Sequence, residues 1–126
     1  MREQERGSEP VASEVTSALD LVFDLLSNRR RRYALYYLYD QPDGVATLEE
    51  LTDGVVTTER QLPGQNPTAT ESHRDAVRTE LQHVHLPKLA DAGMLEHDRR
   101  SETVRYWMQP SLEEWLEHAE HKEISY

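Results

Sequence analysis

Cysteine is absent from this 126-residue chain. That excludes a disulfide framework and a thiolate zinc site. Lysine is almost absent: Lys88 and Lys122 stand against 12 arginines. Phenylalanine occurs once, and 37% of residues are hydrophobic, so the core must be modest. A small core of this kind gains from burying a face in a dimer. The longest apolar run, Tyr33 to Tyr39, is too short to span a bilayer. Preceded by Arg29 to Arg32 it mimics a leader, yet it lies internally and ends at Asp40, so that reading is rejected. No glycine-rich phosphate loop and no nucleophile motif is present, so no enzyme activity and no cofactor are expected.

Acid is what the chain has in excess, with 24 Asp and Glu against 14 Lys and Arg and a net charge of −10. An acid-rich, lysine-poor surface suits a protein held in concentrated salt, where screening weakens self-repulsion. The expected setting is a halophilic cytoplasm.

Local signals divide the chain. Residues 1 to 14 read as a disordered polar tail and 15 to 126 as one domain. Ser17 is expected to cap a helix bearing Leu19, Val22, Phe23 and Leu26 on one face. Ser27-Asn28 breaks it and caps a second helix, from about Arg29 to Tyr39, with Ala34, Leu35 and Leu38 inward. Asp40 to Gly44 is a turn. Thr47 and Glu50 have capping-box spacing, opening a helix with Leu48, Leu51 and Val55 inward that fades near Thr57. Residues 58 to 70 read as a loop. Ser72 is expected to cap a long helix carrying Val77, Leu81, Val84 and Leu89, kinked or restarted at Pro87 and stopped at Gly93. Met94 to His97 and Thr103 to Met108 form a hairpin with its tip at Asp98 to Glu102. Pro110 and Ser111 open a closing helix with Leu112, Trp115, Leu116 and Ala119 on its apolar side.

This order of helices and hairpin resembles winged helix-turn-helix regulators. The strings Leu25-Leu26-Ser27-Asn28-Arg29-Arg30-Arg31-Arg32-Tyr33 and His83-Val84-His85-Leu86-Pro87-Lys88-Leu89 are similar to a haloarchaeal winged-helix family of uncharacterised domains regarded as transcriptional regulators. The resemblance covers roughly residues 19 to 109. It implies an α+β, mainly α fold with a C-terminal two-stranded wing and a closing helix. It also implies sequence-specific binding of double-stranded DNA as a homodimer. The long loop before the third helix departs from tight helix-turn-helix spacing.

In such a fold the third helix enters the major groove and the wing touches backbone. His73, Arg74, Arg78 and Gln82 share one face at helical spacing and are the expected groove contacts. The acids nearby, Glu71, Asp75, Glu80 and Asp91, outnumber Arg74, Arg78 and Lys88 by one. In the wing Arg99, Arg100 and Arg105 outnumber Asp98 and Glu102 by one, which suits phosphate contact. Arg29 to Arg32 cannot all meet one surface, because consecutive helical residues point apart; Arg31 is expected to pair with a buried carboxylate, and the neighbouring tyrosines to line the core rim or a dimer surface. His118 and His121, with Glu114 and Glu117, offer fewer fixed ligands than zinc needs, and His85 reads as a packed, hydrogen-bonded histidine. The first and closing helices are the expected dimer surfaces. The alternative is a winged helix that docks another protein without binding DNA, favoured by the acidic balance.

Overall fold

The computed structural model describes residues 16–61, 71–107 and 109–124. The tail at 1 to 14, the segment with Pro63-Gly64 and Asn66-Pro67, and Met108 lie outside the described residues. The described chain is α+β and mainly helical. Its helices are α1 (16–26), α2 (Arg29–Asp40), α3 (Leu48–Gln61), α4 (Glu71–Glu80), α5 (Leu86–Asp91) and α6 (Pro110–Glu123). A π-helical turn, Leu81–His85, joins α4 to α5. The strands are β1 (Val45–Thr47), β2 (Leu95–Asp98) and β3 (Thr103–Tyr106), antiparallel in the order β1-β3-β2. No described helix is long and apolar enough to cross a membrane.

Local chemistry sets most boundaries. The Asn28 side chain accepts the backbone N–H of Arg31 and opens α2. Thr47 and Glu50 close the reciprocal box at 3.1 and 2.9 Å. Gly93, at φ +78°, ends α5; its N–H reaches the Ala90 carbonyl, and that of Met94 the Leu89 carbonyl. This paired cap satisfies the last carbonyls, and glycine takes the left-handed backbone without strain. Gly54 has a different reason. A Cβ there would sit 2.4 Å from the Tyr37 ring, so α3 lies against α2 only without a side chain.

The core is a leucine cluster, with Leu25, Leu35, Leu38, Leu48, Leu51, Leu81, Leu86, Leu89, Leu112 and Leu116 buried around Tyr33. Burying a side chain of this size contributes about 1.5–3 kcal/mol.

Several expectations are corrected. The sheet has three strands, because β1 adds to the hairpin along β3 with Ala46 opposite Val104. Ser17 and Ser72 lie inside helices rather than capping them. α3 runs on to Gln61, since Thr58 bonds back to the Gly54 carbonyl and Glu59 is buried among tertiary partners. Phe23 is exposed, and Val22 and Leu25 face the core. Val84 is exposed and His85 buried. Leu86 donates to the Leu81 carbonyl, five residues back. The extra residue turns the helix by about 100° relative to a regular continuation, and His85, Leu86 and Leu89 take the inward face. The backbone thus meets Pro87 with a widened turn.

α6 docks through carboxylates as well as leucines. Glu113 accepts the Tyr106 hydroxyl, Glu117 that of Tyr39, and Glu123 that of Tyr36. Glu120 lacks such a donor. Burial, then Asp40 and Glu117 beside it, push its carboxyl up to about 7. The folded chain therefore holds a proton that the unfolded chain releases near 4.5. The stability tied to that proton is full below pH 4.5 and lost as pH rises through about 7. Solvent screening of this half-exposed group leaves about 1 kcal/mol of effect. Glu120→Gln is expected to flatten this part of a stability–pH curve measured by urea unfolding; an unchanged slope would exclude the assignment.

Candidate nucleic-acid interface

The α3 and α4 helices carry matched charges at the same spacing. Glu49 and Asp53 lie four apart on α3, and Arg74 and Arg78 four apart on α4. Arg74 donates to Asp53 and Glu49 at 2.8 Å each, and Arg78 to Glu49 at 2.6 Å. Arg74 is raised above its ordinary range by Asp53 and then Glu49. Glu49 is lowered by Arg74 and Arg78. Gln82 lies 3.5 Å from both Arg78 and Glu102, and His73 lies 3.0 Å from Glu59.

The four expected groove contacts therefore do not share an open face. Arg74 and Arg78 turn to one side of α4, toward the start of α3, and His73 to the other, toward Glu59. Both sides flank the buried Val77–Leu81 ridge. The side of α4 that faces outward presents Glu71, Ser72, Asp75, Ala76 and Thr79, followed by His83. This placement follows from the acids of α3, which the sequence carries at the complementary spacing.

The hairpin differs. Arg99 and Arg100 are exposed at the tip. The one carboxylate beside them in the strand, Asp98, accepts the backbone N–H groups of Arg100 and Ser101 at 3.0 and 3.4 Å. Those two bonds hold it below the usual carboxylate range. The acid thus shapes the turn and its charge stays at the base of the tip. Glu102 completes the turn with φ +57°. Arg105 points out of β3, opposite Glu96 in register, with its guanidinium 5.9 Å from the Trp107 ring centre.

Three arginines of the run, Arg30, Arg31 and Arg32, are consumed internally, while Arg29 is exposed. Arg30 reaches Glu59 at 2.6 Å and Glu80 at 3.2 Å. Arg32 binds Glu123 at 2.7 Å and the Leu26 carbonyl at 2.7 Å. Arg31 meets no carboxylate, contrary to expectation: it bonds the Leu25 and Asp24 carbonyls at 2.8 and 2.9 Å. These are among the last carbonyls of α1, which a helix end leaves unpaired and negative. Arg31 also lies 3.3 Å from His85 Nδ1. A guanidinium only donates, so Nδ1 accepts and Nε2–H donates to Glu80 at 3.2 Å. Burial draws His85 below its ordinary pKa, consistent with this neutral form. Burial raises Glu80, but His85 and Arg30 outweigh it and hold it low.

Tyr33 and Tyr36 are buried in the core. Among the described residues no three His, Asp or Glu side chains gather as a metal site. Between α1 and α6, Phe23 and Trp115, 50% and 38% exposed, meet edge to face at 5.3 Å between ring centres.

No curated protein and no solved structure matches the chain. The model of a domain of unknown function, DUF7344, matches residues 23–105, from Phe23 through most of β3, and the chain belongs to that family.

Proposed function

We propose that the protein is a winged-helix transcriptional regulator of a halophilic archaeon that binds double-stranded DNA chiefly through its wing. The order helix, strand, two helices, hairpin, with β1 laid along β3, supports the winged-helix reading. The observation that carries DNA binding is the tip itself: Arg99 and Arg100 stand exposed while Asp98 is turned onto backbone amides. Two adjacent guanidiniums of this kind suit phosphates or a narrow minor groove. Major-groove reading by α4 is the weaker half, because Arg74 and Arg78 are already paired. The homodimer would form where Phe23 and Trp115 are exposed, between α1 and α6.

The test is duplex binding by fluorescence anisotropy across a KCl series. Arg99→Ala/Arg100→Ala is expected to weaken binding about tenfold at low salt. It should also reduce the slope of log K against log[salt] by about 2, one for each phosphate no longer neutralised. Equal binding by the double variant would remove the wing from the reading. Light scattering on the same samples decides the dimer, with a mass of one chain excluding it.

A second reading has its own observation. The outward side of α4 carries Glu71 and Asp75 and no arginine or lysine, which suits a basic protein partner better than a duplex. A correctly folded chain with no duplex affinity at any salt concentration would favour it.

A further inference from the structure

Alternation along β2 points Glu96 and Asp98 outward and Leu95 and His97 inward. His97 stands opposite Val104, where an apolar side chain would pack without cost. Its side chain is 4% exposed, and neither ring nitrogen has a hydrogen-bond partner. Glu102 Oε1, 3.5 Å from His97 Nε2, is also buried and unpartnered. Buried polar groups of this kind are costly to leave unpaired. A protonated imidazole offers Nε2–H to that oxygen and turns two of these three orphans into one charge-assisted bond, with Nδ1–H left to water.

Glu102 is held in place from three directions. Its backbone is left-handed, an uncommon state for a residue with a side chain. Its carbonyl accepts the N–H of Leu48 at 2.8 Å, tying the tip to the first residue of α3. Its other carboxylate oxygen lies 3.5 Å from Gln82, in the π-helical turn. One residue therefore joins the wing to both helices behind it.

We propose that His97 and Glu102 form a proton-operated latch that sets the wing tip against the π-helical turn and tunes its grip on duplex DNA. With His97 neutral the pair has no charge-assisted bond and the Glu102 charge is unbalanced. With His97 protonated the bond closes, the Glu102 charge is balanced, and Arg99 and Arg100 face phosphate with one opposing acid fewer. Around His97 stand Glu102 at the tip and Asp98 beside it in β2; α5, packed against β2, carries Lys88, which pairs with Asp24, and the exposed Asp91. From the helix side come Gln82 and, behind it, Arg78, whose charge is taken up by Glu49. The effect on DNA rests on the proposed function; the latch itself does not.

The experiment follows the His97 ring and the amides of residues 98 to 102 by NMR on the full chain between pH 5.5 and 8. Duplex affinity is measured at each pH. The tip amides are expected to shift with the His97 midpoint, and affinity to fall about fivefold from pH 6 to pH 8. His97→Gln should abolish both responses. Glu102→Gln keeps the side chain's size and should do the same, so the test survives misfolding of either variant. Tip amides indifferent to His97 protonation, or a pH response intact in both variants, would overturn the latch. Amides that follow His97 in a chain binding no duplex would support the latch and overturn the DNA-binding reading alone.

Discussion

Arg31→Ala is expected to lower stability by about 3 kcal/mol and to release α1 from the body of the domain. Arg31 is 5% exposed, and its guanidinium serves three acceptors: the Asp24 and Leu25 carbonyls and His85 Nδ1. Truncation leaves the Leu25 carbonyl and His85 Nδ1 unpaired, while the Asp24 carbonyl keeps the Ser27 N–H and hydroxyl. At about 1 kcal/mol each these two account for about 2 kcal/mol, and the lost packing of the buried arginine stem brings the loss to the expected figure. Arg31→Lys is expected to recover less than half, since one ammonium cannot span the fork. Urea unfolding gives the stability, and hydrogen exchange of residues 16–26 reports the release of α1. A loss under 1 kcal/mol with those amides still protected would show that α1 is held by Val22 and Leu25 instead.

A comparable loss, about 3 kcal/mol, is expected for Glu59→Ala. Glu59 is 4% exposed and accepts twice from Arg30, with His73 at 3.0 Å. Removing one partner of a buried pair strands the other charge, which costs about 3–5 kcal/mol. The partial exposure of Arg30 and its remaining bond to Glu80 place this site at the low end. Because the penalty comes from the stranded charge, Glu59→Leu/Arg30→Met should recover more than half of it. Thermal unfolding of Glu59→Leu, Arg30→Met and the double closes the cycle. Additive losses would show that the pair does not act as a unit.

What the sequence made legible was local. Asn28, the Thr47–Glu50 box and Gly93 act through bonds to residues within a few positions, so the short-range pattern locates them. β1 did not show itself because three residues carry no periodicity; its pairing depends on β3, far along the chain. The π-helical turn was foreshadowed by Pro87, but the widened turn belongs to the five residues before it. That one-residue offset exchanged Val84 for His85 on the inward face. The destinations of the arginines were the least legible, because each depends on which helix packs alongside. Arg74 and Arg78 were read as facing outward, although Glu49 and Asp53 carry the complementary spacing. The excess of arginine over lysine has a use within the fold. Arg30, Arg31, Arg32 and Arg74 each use more than one guanidinium nitrogen, a geometry that lysine lacks.

Three successive arginines at the start of α2 radiate like spokes. Arg30 goes to α3 and α4, Arg31 to the end of α1 and the π-helical turn, and Arg32 to α6 and the end of α1. A single helical turn of α2 therefore fastens α1, α3, α4, α6 and the π-helical turn at once, so loosening that turn would loosen five segments together.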